Sequence, residues 1–303
     1  MPGSLRPFMR TIVLLLLALL AACGGGGGDS GQPAPPVAVS STTAADTFNA
    51  INLRRQQAGL PALARNALLD LAAQAHSDYQ RQNGVITHVE QPGKPGFTGA
   101  SPLDRLAAAD YRFTQPTWAY GEVLVATGNP IGASVVEALL VAIYHRFIVL
   151  EPRFKEMGAG SASVPDGYTY VTVDLTADGL GPALAPGTVT LYPIPGQQQV
   201  PTVFYSDNES PDPVADANAV GYPISVQAGL ATPLTVDSFT IQPHGGAPLA
   251  VKLLSNPQDI ETPVGAAAIV PLTVLQPGTT YDVQFSGSAG GQAVSRAWSF
   301  TTA

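Results

Sequence analysis

Three side chains in the first half of the chain have the types that acid-base or metal chemistry uses: His88, Glu122 and His145. His88 follows "NGVIT", after a helical pattern has ended, at a place where a loop can aim it. Glu122 stands in "WAYGEVLVAT", and a carboxylate among apolar residues costs free energy unless a cation, a proton or a donor compensates it. His145 lies near the end of the apolar run "VVEALLVAIYHRFIVL". Neutral imidazole and carboxylate are ligands for zinc and also acid-base partners, so the three are expected to converge on one site. His88 and His145 are then the candidate ligands of a divalent metal such as zinc, and Glu122 the base if the site is catalytic. Glu137, eight positions before His145, is the only nearby acid on the same helical run. On a continuous helix the two would lie roughly 12 Å apart along the axis, too far to share an ion. No HExxH, CxxC or GxSxG pattern accompanies these residues, so no zincin or serine-hydrolase signature assigns an enzyme class.

The elements that must position them follow from periodicity. From Ala44 the apolar residues recur at helical spacing, through Phe48 and Ile51, and after a Gly59-Leu60-Pro61 break through Leu68, Leu69, Ala72 and Tyr79. Within the second of these helices His76 is expected to be a packed or surface residue and not a ligand. A third helix fits "SPLDRLAAADY", with Ser101 as cap, Pro102 in the first turn and Asp104 facing the positive end of the dipole. The stripe Ile131, Val135, Leu139, Ile143, Phe147 predicts a fourth helix from about Gly132 to Phe147. Next, "MGAGSASV" and "YTYVTVDLT" flank Pro165-Asp166-Gly167, which predicts a hairpin, its glycines permitting close backbone approach. Helices first and a hairpin after imply an α+β layered domain.

The order of "LAAQAHSDYQRQNGVITH", "SPLDRLAAADY", "YGEVLVAT" and "YHRFIVLEPRFKEMGAG" resembles the CAP superfamily (cysteine-rich secretory proteins, antigen 5, plant pathogenesis-related proteins) in its bacterial SCP-like branch. The resemblance covers about residues 44–177. It implies an α-β-α sandwich with a cleft carrying two histidines and two acidic residues, sometimes occupied by a divalent metal. His88, Glu122 and His145 match those positions, and Glu137 is the candidate binding residue for the second acid. The chain departs from the pattern in having Val123 where the family has asparagine, Leu139 where it has tryptophan, and Ile143-Tyr144 where it often has Pro-Gly.

Residues 178–217 are rich in Pro, Gly and Asp and are expected to be a connector with short strands at "TVTLYP" and "PTVFYS". Within it, Asp207, Glu209, Asp212 and Asp216 lack the calcium-loop spacing and suit a solvated turn. Residues 218–303 hold six or seven short strands separated by turn residues, which predicts a β-sandwich of immunoglobulin or fibronectin type. There Trp298 is expected in the core and His244 in an exposed turn.

At the other end, Arg6 and Arg10 precede an apolar run of about 12 residues, too short to span a bilayer. It closes on Leu20-Ala21-Ala22-Cys23, which resembles the bacterial lipobox and uses the only cysteine of the chain. Residues 1–22 are therefore expected to be a lipoprotein signal peptide, Cys23 the lipidation site that binds the membrane, and 23–43 a Gly/Pro tether spanning roughly 25 Å. A net charge of −8 argues against nucleic acid as a partner. The expected protein is lipid-anchored in the bacterial cell envelope, at the outer membrane or cell surface. Its CAP-like domain binds a lipid, glycan or cell-wall component. The alternative is a metal- or Glu/His-assisted hydrolase of peptides or peptidoglycan, which the absence of a visible activated nucleophile disfavours.

Overall fold

A computed structural model of the 303-residue chain describes residues 42–182 and 184–303. The signal segment, Cys23 and nearly all of the tether lie outside the described residues. The first part opens with α1 (Thr42–Gln57), a two-residue strand β1 (Ala64–Arg65) and α2 (Ala67–Asn83). Then come α3 (Pro102–Ala108), β2 (Trp118–Thr127), α4 (Gly132–Val141), α5 (Ile143–Val149) and the hairpin β3 (Glu156–Ser163) and β4 (Thr169–Asp178). The sheet order is β1-β3-β4-β2, with β1 parallel to β3 and the rest antiparallel.

Helices cover both faces of this sheet, so its strands are buried almost throughout instead of alternating. α2 lies on one face, and it can approach because β3 offers glycine there. A β-carbon at Gly158 would come within 2.3 Å of Asp70 N, and one at Gly160 within 2.2 Å of Gln74 N. On the other face Met157, Ala159, Val123 and Val173 bury against Ile51 of α1 and Leu139 and Leu140 of α4. This is the α-β-α layering that the CAP resemblance implied, and a case of the α+β layering expected from the hairpin and the helices before it.

The fourth helix is not continuous. Ala142 is extended (φ −70°, ψ 111°), and α4 and α5 meet at a bend of 114°. Periodicity carried the apolar stripe straight through because Ala142 is a good helix former; what breaks the helix comes from elsewhere in the chain. Among the described residues no single helix is long and apolar enough to cross a membrane.

Beyond β4 the chain is β-rich. One sheet runs in the order β10 (Val251–Ser255), β11 (Ala266–Pro271), β8 (Ile224–Gln227), β5 (Thr190–Tyr192). A second runs β13 (Gln292–Thr301), β12 (Thr280–Ala289), β9 (Leu234–Pro243), and β6 (Val203–Tyr205) pairs with β7 (Ala219–Gly221). Both short strands expected between 178 and 217 form. β12 shows the in-out alternation its sequence predicts, and Trp298 is buried. Inner residues of the two larger sheets, such as Ile224, Ile269, Ile241, Phe285 and Phe300, share one apolar cluster with α1, α4 and the first sheet.

The opposite face of β11 is covered too. Ala266, Ala268 and Val270 pack against Ile143, Tyr144 and Phe147 of α5. α5 is thus wedged between the two parts and tied at both ends. At its far end buried Arg55 donates to the carbonyls of Val149 (2.8 Å) and Glu151 (2.9 Å), and burial draws the Arg55 pKa down to about 10. In its middle, Arg146 is fully buried between the rings of Tyr192 and Tyr222, 4.9 and 5.1 Å from their centroids, and donates to Pro223 O at 2.8 Å.

Candidate functional site

The loop that carries His88 is built on a buried carboxylate. Glu90 accepts from Thr98 N (2.6 Å), Gly99 N (3.2 Å) and the ring of His76 (2.8 Å), whose other nitrogen meets Thr87 O at 2.7 Å. Burial by itself would raise the Glu90 pKa, but these donors and the nearby Arg105 hold it below the usual carboxylate range. His76 is therefore a packed residue, as its place in the middle of α2 suggested.

α3 begins with a capping box: Ser101 accepts from Asp104 N, and Asp104 accepts from Ser101 N. That start fixes the next residue, Arg105, pointing inward and almost fully buried. Its guanidinium donates to Glu122 Oε2 at 2.6 Å and to the carbonyl of His88 at 3.1 Å. The cation that Glu122 needs in its apolar strand is thus Arg105, which also anchors the backbone of His88. A carboxylate only accepts, so His88 donates through Nδ1 to Glu122 Oε1, at 2.8 Å.

Directly across the strand pair from Glu122 sits Asp174, also buried. Desolvation and the neighbouring Glu122 charge raise the Asp174 pKa well above its ordinary value. Burial pushes Glu122 upward as well, yet Arg105 and the His88 hydrogen bond override it and bring its pKa to about 2. Of the two facing carboxyls, Glu122 is the one that ionises first, and Asp174 is the one whose proton is held more tightly.

His145 is placed from a different part of the chain. After β6 and a 3₁₀ turn (Ser206–Asn208), Glu209 is buried with one oxygen accepting from Ile143 N at 2.7 Å. The other accepts from Tyr144 N (2.7 Å), His145 N (3.2 Å) and His145 Nδ1 (3.1 Å). These bonds organise the start of α5 and break the α4–α5 helix at Ala142. Glu209 therefore departs from the solvated turn expected for its segment, although Asp207 and Asp216 in the same segment are exposed.

The two imidazole rings lie 6.4 Å apart at an interplanar angle of 28°. Each spends Nδ1 on a buried carboxylate, and neither Nε2 has a hydrogen-bond partner among the described residues. Both rings line a cleft of about 590 Å³ whose walls are the end of β2, the α4–α5 corner, Ile86, Tyr168 and the segment 203–210. Ile86, Tyr168 and Tyr205 are each more than half exposed there.

Of the four residues singled out in the sequence, three come together and one does not. Glu137 accepts from Tyr222 OH at 2.7 Å and pairs with Arg54 at 3.7 Å, in the contact with the C-terminal part. Sequence reasoning missed Arg105, Asp174 and Glu209. Only Arg105 left a signal, in the need of Glu122 for a cation. Among the described residues no three His, Cys, Asp or Glu side chains form a group able to hold a metal ion. The two imidazoles supply two nitrogen donors, fewer than the three protein ligands of a catalytic zinc site.

Residues 48–175 match the model of the cysteine-rich secretory protein family, CAP. Among solved structures, an outer surface protein of Borrelia burgdorferi is 19% identical, covering 43% of this chain and 87% of that one, with a TM-score of 0.36. An extracellular SCP-domain protein of Bacillus anthracis is 24% identical with a TM-score of 0.35; the match covers 43% of this chain and 39% of that protein. No curated protein matches the chain. The loop histidine, the Gly-Glu strand, the His-Arg pair and the α-β-α layers thus belong together: residues 48–175 are a CAP domain.

Proposed function

We propose that the chain is a lipid-anchored protein of the bacterial cell envelope whose CAP domain binds an extracytoplasmic, amphipathic ligand. The observation that carries this reading is the cleft in which two carboxylate-backed imidazoles present unpaired Nε2 atoms between walls that mix apolar residues of β2 and α4 with Thr87, Thr127, Asn208 and Ser210. A small number of placed polar groups in a mostly apolar concavity is the usual form of a ligand site. The polar end of the ligand sits at His88 and His145, and its apolar body runs along β2 and Tyr205. Lipid acyl chains with a carboxylic acid head, whose O–H can donate to an open Nε2, fit that division best among lipid, glycan and cell-wall candidates. Residues 218–303 are read as an immunoglobulin-like sandwich, the connector segment 203–210 before it as one wall of the cleft, and Cys23 as the lipidated residue.

A divalent ion is the second reading, favoured by the carboxylate-histidine pairing that commonly supports metal-bound imidazole. His88 and His145 would hold it through Nε2, leaving the remaining positions to water or ligand; the ion would supply Lewis acidity. Glu122 is poorly suited to be the base of a hydrolase, since both its oxygens are engaged and its side chain is only 2% exposed.

The test is calorimetric titration of residues 24–303 with laurate, chitotetraose and zinc chloride, in wild type, His88→Ala and His145→Ala. Laurate binding that both substitutions weaken about tenfold or more is the expected result. Stoichiometric zinc lost in both variants would move the metal reading first, and no binding of laurate at all would overturn the amphipathic assignment. Lipidation is checked by palmitate labelling of the full chain in cells, expected to vanish in Cys23→Ser.

A further inference from the structure

We propose that Glu209, which lies outside the CAP-matching residues, is a positioning residue of the cleft. It holds His145 in the Nδ1–H tautomer with Nε2 open to the ligand, so the site is complete only when the C-terminal part is in place. The inference rests on the reading of the cleft as a ligand site and deepens it by naming where its second acid comes from.

The geometry carries the argument. The Glu209 side chain is wholly buried, and its oxygens only accept. Three successive backbone N–H groups, of Ile143, Tyr144 and His145, converge on it, so both the ring of His145 and its main chain are referenced to one carboxylate. Ala142, at the start of α5, makes no side-chain cap of its own. The acceptor that α5 needs is therefore imported from 64 to 66 positions further along the chain. The matching partner of His88 is Glu122, inside the CAP domain. The same imported segment brings Tyr205, Asn208 and Ser210 to the cleft wall, so it shapes what the cleft admits as well as holding its histidine.

A purely structural cap would also destabilise α5 when removed, so stability alone does not decide the matter. The deciding measurement is the ¹⁵N chemical shift of the imidazole nitrogens in residues 24–303, without ligand, at mildly alkaline pH. In wild type His145 is expected as the Nδ1–H tautomer. In Glu209→Ala and Glu209→Leu, which carry no acceptor, its signals are expected to move to the Nε2–H form, or to a mixture of the two, while His88, held by Glu122, does not change. A wild-type His145 in the Nε2–H form overturns the proposal without recourse to any variant. So does an unchanged His145 tautomer in a folded Glu209→Ala. Laurate binding by Glu209→Ala is expected to fall about tenfold. If the wild type binds no laurate, the reading of the cleft fails while the tautomer result still decides the role of Glu209.

Discussion

The two imidazoles of the cleft have the same bonding pattern and different support. His88 is backed by Glu122, whose charge is answered by the buried guanidinium of Arg105. His145 is backed by Glu209, whose charge is answered by three peptide N–H groups. One dyad is made within the CAP domain from an ion pair, and the other joins that domain to the C-terminal part through the backbone. The contrast teaches that a site can look symmetrical at its reacting atoms and be held by unrelated means one layer behind. It also says where each half will fail.

The harshest way to break the comparison is Arg105→Met. It leaves Glu90 and Glu122 buried without their cation and frees the carbonyl of His88, so a loss of roughly 3–5 kcal/mol in urea denaturation is expected. Glu209→Ala is expected to cost somewhat less, about 2–4 kcal/mol, because it strands peptide donors and not a charge. If the two losses came out in the opposite order, the backbone-held dyad would be the stronger of the two. His88→Ala and His145→Ala sharpen the contrast further: each removes a partly exposed ring, for roughly 1 kcal/mol by the same measurement.

The smallest change is expected from Asp174→Asn, and it tests the sign of the proton balance behind His88. Glu122 has a lowered folded pKa of about 2, so its stabilisation is complete above its unfolded value near 4.3 and is lost as pH falls toward 2. Asp174 has a raised folded pKa, so its contribution is complete below its unfolded value near 3.9 and is lost as pH rises toward the folded one. Removing the proton exchange at Asp174 should leave acid stability unchanged and flatten the decline from about pH 4 upward. Thermal melting across pH reads this directly, and a variant that loses stability equally at every pH would refute the assignment.

Local signals were legible in the sequence and long-range ones were not. The Ser101 cap of α3, the β3–β4 hairpin and the glycines of β3 are consequences of neighbouring residues, and each appears where its pattern placed it. Glu122 and His145 were found because polar groups in apolar runs demand partners, and His88 because it stands where a loop can aim it. The partners themselves lay 17 and 64 positions away, and nothing in "SPLDRLAAADY" or "YSDNESPDPVADAN" marks Arg105 or Glu209 as interior. The break at Ala142 escaped for the same reason, since its cause is a carboxylate in a segment that composition alone would leave in water.

The wedge of α5 has a thermodynamic consequence. Its His145 faces the cleft while the next residue, Arg146, is clasped by Tyr192 and Tyr222, and one apolar cluster runs from α1 through the first sheet into both β-sheets beyond. Two architectures in sequence ordinarily suggest two melting events. Here the shared interior should make them a single cooperative unit, with one calorimetric transition whose van't Hoff and measured enthalpies agree.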